Sequence, residues 1–156
     1  NNMKKIKISL YIIIIISLSS CGYSRLNDQS NEFKFNSIEI NGDKRLSFIL
    51  KNNLNLLSKP ESKKSYDLLI NLTSSKTSKI KDTTGKTTRF NVILNGDLKL
   101  TDNNKVVKNR SFTVSNDYDV SNNHSDTIRN EKNSIQNNID SLSQEITKYI
   151  QLINLN

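Results

Sequence analysis

The spacing of apolar positions changes period several times along the chain, and each change marks an element. Phe33 and Phe35 alternate with polar residues, then Ile38 and Ile40 do so in the opposite phase. This predicts a first strand with a phase slip near its start. Asn41-Gly42-Asp43 predicts a turn with Asp43 placed to cap a helix. Leu46, Ile49, Leu50, Leu54 and Leu57 then fall on one helical face, which predicts a helix over Lys44–Ser58 that Pro60 stops from running on. Tyr66, Leu68, Ile70 and Leu72 hold even positions, as do Phe90, Val92, Leu94, Leu98 and Leu100, and again Val106, Phe112, Val114, Tyr118 and Val120. Three antiparallel strands with one apolar face follow, turning at Asp82–Gly85 and at Thr101-Asp102-Asn103-Asn104. Last comes a helix over Asp126–Ile153, capped by Ser125 or Asp126, with a stripe of Ile128, Ile135, Ile139, Leu142, Ile146, Ile150 and Ile153. No internal repeat is present.

The order β-α-β-β-β-α, with one apolar stripe per helix and one apolar face per strand, has an economical packing. It is an α+β two-layer sandwich: a four-stranded, mostly antiparallel sheet with two helices packed on one face. Residues 33–156 are expected to form this single domain. In the second strand the even positions turn from apolar to polar at Ser74, Lys76 and Ser78. A strand from Tyr66 to Ile80 would span about 45–50 Å, more than such helices need to cover. The second and third strands are therefore expected to form a hairpin whose base packs and whose tip projects.

Residues 1–20 carry a different pattern. Lys4, Lys5 and Lys7 precede an apolar run dominated by Ile12–Ile16, too short for the roughly 20 residues of a spanning helix. A basic start and a short apolar core predict a secretory signal. The run ends in Leu18-Ser19-Ser20-Cys21, which resembles a bacterial lipobox: a branched apolar residue, two small ones that fit a peptidase groove, then a thiol to accept diacylglycerol. Cys21 is expected to be lipidated and residues 21–32 to be a polar tether. Two or three acyl chains make a stable anchor, because each buried methylene contributes about 0.8 kcal/mol. Gly22 stands where an inner-membrane retention signal would often place Asp, so the expected location is the inner leaflet of an outer membrane.

Composition narrows the rest. One Cys excludes an internal disulfide framework and Cys-based metal cages, and one His leaves almost no room for His-pair sites. Asn (24 copies), Ile (19) and Lys (18) are abundant while Ala is absent, a codon-like skew that weakens Asn and Lys as evidence of loops or binding. Removing residues 1–20 takes away three lysines and lowers the net charge from +8 to +5. It also leaves about 31% apolar residues, a thin core that a covering partner would help. Nucleic acid is not an expected partner in the periplasm. The hairpin tip gathers Lys76, Lys79, Lys81, Lys86 and Arg89 against Asp82 alone, a local balance of +4 that suits phosphate or carboxylate groups. Equally, alternating Ser, Thr and Lys blunt an exposed strand edge.

Catalytic signals are missing. His124 stands in the Asn-rich loop Ser121–Ser125 without a Cys nucleophile or a Gly-rich serine elbow beside it. There is no Walker loop and no dinucleotide fingerprint. The expectation is a non-enzyme with no catalytic residues, no metal and no cofactor.

Several motifs in order resemble the LptE family, outer-membrane lipoproteins that assemble lipopolysaccharide. They are Cys21-Gly22-Tyr23, the strand Phe35–Ile40, and the Arg-led helix Arg45-Leu46 through Leu57. Ser65-Tyr66-Asp67-Leu68, Thr88-Arg89-Phe90-Asn91-Val92 and Leu98-Lys99-Leu100-Thr101-Asp102 follow, then Tyr118 and a last helix that includes Arg129. The resemblance implies a plug inside the large β-barrel LptD, helping the barrel to fold and lipopolysaccharide to pass, without a catalytic centre. It also implies that basic residues near the tip meet lipopolysaccharide phosphates, with Lys81 and Lys86 the nearest counterparts and Arg89 beside them. A last helix without Ala and the Asn-rich loop before it depart from the family. An accessory or pilot lipoprotein of another envelope transport or secretion machine shares the anchor and the size, and is the alternative reading.

Overall fold

The computed structural model describes residues 32–102 and 105–154. The expectations placed on the signal segment, on Cys21 and on the tether up to residue 31 lie outside these residues, as do Asn103 and Asn104 of the second turn. Six elements follow in the order β1 (Lys34–Asn41), α1 (Lys44–Leu57), β2 (Ser65–Lys81), β3 (Thr87–Asp102), β4 (Lys105–Asp119) and α2 (His124–Asn154). One sheet runs β1-β2-β3-β4. β1 pairs with β2 in parallel, and the two later pairings are antiparallel. This is the two-layer α+β arrangement that the periodicity predicts.

The phase slip in β1 is a bulge. Phe35 pairs with Tyr66 and Ser37 with Asp67, so Asn36 is the extra residue. It lets Phe33 and Ile38, which differ in parity, both be buried. Asp43 caps α1 as expected, its carboxylate accepting from the backbone N–H groups of Arg45 (2.9 Å) and Leu46 (3.0 Å). Gly42 before it has φ +135°, and a Cβ there would stand 2.2 Å from the carbonyl oxygen of Leu72. Only glycine lets the chain leave the sheet at that point.

The core lies between the inner sheet face and the helices. Leu50 and Leu54 of α1, Leu68 and Ile70 of β2, Leu94 and Leu100 of β3, and Ile139, Leu142, Ile146 and Ile150 of α2 are buried within it. α2 lies over β3 and β4, and α1 over β1 and beside α2. Arg45, Leu46 and Ile49 lie near Lys132, Ile135 and Gln136, while Asn53 donates to Asp140 (2.8 Å). Both helices thus advance together, side by side and parallel. Gly96 of β3 sits under Leu142, where a Cβ would meet its methyl groups at 3.4 Å.

Two expectations are corrected. Val106 is 52% exposed and not on the core face. Leu100 pairs with Lys108 but Thr101 with Val106, so an extra residue in β4 shifts the alternation and turns Val106 to the outer face. α2 begins at His124, not Asp126, and its cap is Asn123, whose side chain accepts from the backbone N–H of Ser125 (3.0 Å). Ser125 and Asp126 belong to the first turn, and the loop that held His124 is shorter than expected.

Candidate functional site

Two surfaces follow from this architecture: the tip of the β2–β3 hairpin and the outer face of the sheet.

β2 is exposed at every residue from Thr73 to Lys81. β1 pairs with it only as far as Asn71, so the rest of that edge is open. On the other side β4 follows β3 up to the Arg89–Asp119 pair, and the backbone N–H of Val120 still donates to Thr88 (2.9 Å). The hairpin therefore outruns all other elements only over its last residues, Lys81–Thr87. This stretch is shorter than the polar run from Ser74 suggests. The turn is built by Asp82, whose Oδ1 accepts from the Thr84 hydroxyl (2.6 Å) and from the backbone N–H groups of Thr84 (2.8 Å) and Lys86 (3.0 Å). Gly85 takes the positive φ (+84°) that closes it. The Thr84 hydroxyl is the foremost reason that the Asp82 carboxyl is held below the ordinary aspartate value.

Folding sorts the five tip cations. Lys76 bonds Glu131 of α2 at 2.8 Å, and its ammonium lies 5.2 Å from the Phe90 ring centre, itself stacked on Tyr118 at 5.6 Å. The bond to Glu131 raises the Lys76 pKa. Lys79 pairs with Asp117, which also accepts from Asn91 at 2.7 Å, and these contacts, Lys79 first, hold the Asp117 carboxyl below its usual value. Arg89 bonds Asp119 at 2.6 Å, and that contact raises its pKa. Three acidic residues far away in sequence thus balance three of the cations, and the local excess of +4 falls to +1. Lys81 and Lys86 are exposed beside the turn and make no ion pair among the described residues. Of the three candidate phosphate contacts, Lys81 and Lys86 thus come together at the tip. Arg89 is held one step back, on the outer face.

That outer face is mostly polar, with Leu69, Ile93 and Val106 as its apolar members, and several of its polar side chains bond across strands. Register places Asn71, Thr73, Ser75 and Thr77 of β2 on it, with Asn91, Asn95 and Asp97 of β3 and Ser111, Thr113 and Ser115 of β4. Cross-strand hydrogen bonds link Ser37 to Asp67 (2.7 Å), Asn41 to Asn71 (3.2 Å), Thr113 to Asn95 (2.8 Å) and Ser111 to Asp97 (2.6 Å). No helix covers it. Such a face stays stable against water or a polar wall and resists apolar stacking.

Similar solved structures share this architecture. Lipoprotein B of Nitrosomonas europaea is 13% identical, with 83% of this chain and 91% of that one covered at a TM-score of 0.60. Rare lipoprotein B of Shewanella oneidensis is 11% identical over 77% of this chain and 97% of that one, TM-score 0.58. A minor lipoprotein of Acinetobacter baumannii is 21% identical over 76% and 90%, TM-score 0.56. The chain has a fold that these lipoproteins share. No protein-family model and no curated protein matches the sequence.

Among the described residues no group of three His, Cys, Asp or Glu side chains is placed to hold a metal. No helix there is long and apolar enough to cross a membrane. His124 is exposed at the first turn of α2. The acidic partners Asp117, Asp119 and Glu131 are the site residues that sequence reasoning missed. The first two alternate along β4 opposite Asn91 and Arg89, so strand register was the available signal for them. Glu131 had none.

Proposed function

We propose that this chain is an outer-membrane lipoprotein, anchored through Cys21, that plugs and helps assemble a large LptD-type β-barrel and assists delivery of lipopolysaccharide to the cell surface. In this reading the body acts by contact alone, with no catalytic centre and no cofactor. One observation carries it: an outer sheet face that no helix among the described residues covers and that polar side chains bridge from strand to strand. The lumen of a wide outer-membrane barrel is polar and wet, and a plug needs a mostly polar surface to approach it. The fold shared with several lipoproteins supports the anchor reading, as does the lipobox-like Leu18-Ser19-Ser20-Cys21.

Lys81 and Lys86 then serve as phosphate contacts at the projecting tip, and Arg89 orients Asp119 on the outer face. The test is a photo-crosslinking residue at Thr84 in the lipidated protein, within cells. The expected adduct is a large β-barrel protein. Capture of only secretin or inner-membrane subunits removes the plug reading and favours a pilot-type lipoprotein.

A further inference from the structure

The end of the molecule opposite the hairpin tip has a chemistry that the plug reading does not use. The start of β1, the end of α1 and the loop before β2 are bonded together there. Residue 33 accepts through its carbonyl from the N–H of Lys59 (2.8 Å), the N–H of Lys34 donates to Lys64 (2.9 Å), and the Ser62 hydroxyl donates to the carbonyl of Glu32 (2.7 Å). The Ser58 hydroxyl accepts from the N–H of Phe35 at 3.0 Å. These bonds pin the point where the chain from Cys21 enters the body directly beside the end of α1 and the loop that follows it.

At that place α1 presents Leu56, 83% exposed, and Leu57, 38% exposed. Leu56 lies about 200° around the helix from the buried Leu54, so it points away from the core. Leu152 of α2, 59% exposed, bears the same relation to buried Ile150, and because the helices run parallel it reaches the same end. The connecting loop adds exposed Lys59, Lys63 and Lys64 against Glu61. Leucines flanked by lysines are the pattern of a surface that rests in the headgroup layer of a bilayer, side chains in the acyl boundary and ammonium groups on anionic lipids.

We propose that this end, with Leu56, Leu57, Leu152, Lys59 and Lys63 as its contacts, docks on the anionic lipid leaflet that holds the anchor. The proposal rests on the lipidation of Cys21 given above. Ten residues separate Cys21 from Glu32, and the eleven steps between them reach at most about 36–40 Å even when fully extended. Held that close, the surface meets the leaflet at high effective concentration, so individually weak contacts suffice. Docking describes the lipoprotein before it enters a barrel, with Lys81 and Lys86 at the end away from the leaflet.

Cys21 is the sole cysteine, so in the lipidated full-length protein an introduced thiol is the only one free for labelling. A nitroxide at Asn55→Cys, exposed next to Leu56 in the last turn of α1, is compared with one at Thr84→Cys on the tip. Both are read on vesicles of phosphatidylethanolamine and phosphatidylglycerol for collisions with a water-soluble nickel chelate. The Asn55 label is expected to lose several-fold in nickel accessibility relative to the tip label. That protection should vanish on adding Leu56→Ser with Lys59→Glu and Lys63→Glu, and should weaken on phosphatidylcholine alone. Protein that floats with the vesicles while both labels stay equally accessible overturns the docking and leaves the anchor standing. Protein that does not float overturns both. Protection that rises with protein density on the vesicles assigns the surface to a second copy and overturns the proposal as well.

Discussion

α2 serves two regions of this molecule in different ways. Its second half packs Ile139, Leu142, Ile146 and Ile150 into the apolar core against β3 and β4. Its first half reaches the tip-side part of the sheet through polar groups: Asn130 donates to the Asp119 carbonyl (3.1 Å) and Ser134 to that of Asn116 (3.1 Å) in β4, Asn138 donates to the Val92 carbonyl of β3 (2.9 Å), and Glu131 holds Lys76 of β2. At 31 residues the helix is about 46 Å long, enough to follow the sheet into both regions. The difference teaches how a small apolar inventory is spent. Burial closes one end and fixes the fold, while directional contacts aim the other end with few apolar groups, Val92, Phe90 and Tyr118, beneath them. A surface destined for a wet partner is built in the second way.

The comparison is broken most severely by opening the apolar half. Leu142→Ala should lower stability by about 2–5 kcal/mol in urea unfolding, the range for a buried leucine that leaves a cavity. A smaller loss, about 1–3 kcal/mol, is expected for Asn138→Ala, because the side chain is buried and the Val92 carbonyl loses its donor. If the two losses were equal, the division between the halves would be wrong. The Lys76–Glu131 pair is partly exposed, and a double-mutant cycle should return less than about 1 kcal/mol. Lys81→Glu with Lys86→Glu should change stability by no more than about 0.5 kcal/mol. The same pair should weaken lipopolysaccharide binding in low salt, and unchanged affinity would reduce both lysines to solubilising groups.

The pH response sharpens the contrast further. Asp82 is held below the ordinary value of 3.8, first by the Thr84 hydroxyl. A depressed native value means that the carboxylate stabilises the turn fully above pH 3.8 and progressively less as the pH falls through the lower native value. Amide resonances of Thr84 and Lys86 should shift in that acidic window, while those of Leu98 and Leu100 in the core stay fixed.

Period and phase made the fold legible, including the bulge at Asn36, because alternate burial leaves a direct mark on residue order. The β4 bulge was not legible: its outcome depends on which residue pairs with Thr101, and Val106 and Val107 are equally apolar. The start of α2 was misplaced because Asn123, Ser125 and Asp126 are all good caps, and only the backbone bonds choose among them. At the tip the cations were visible and their partners were not. Glu131 lies 55 residues from Lys76, and Asp117 lies 38 from Lys79, so charge counted along the chain overstated the charge carried in space.

β1 has a mechanical consequence. It is joined lengthwise to β2 through pairs from Lys34–Ser65 to Asn41–Asn71, and the chain enters it at its base-end terminus. A pull arriving through the residues before Glu32 therefore acts along the strand axis and loads these bonds together in shear, whereas an antiparallel hairpin pulled from its open end would peel one rung at a time. The parallel crossover through α1 gives a leashed body a grip that resists being unravelled by its own leash.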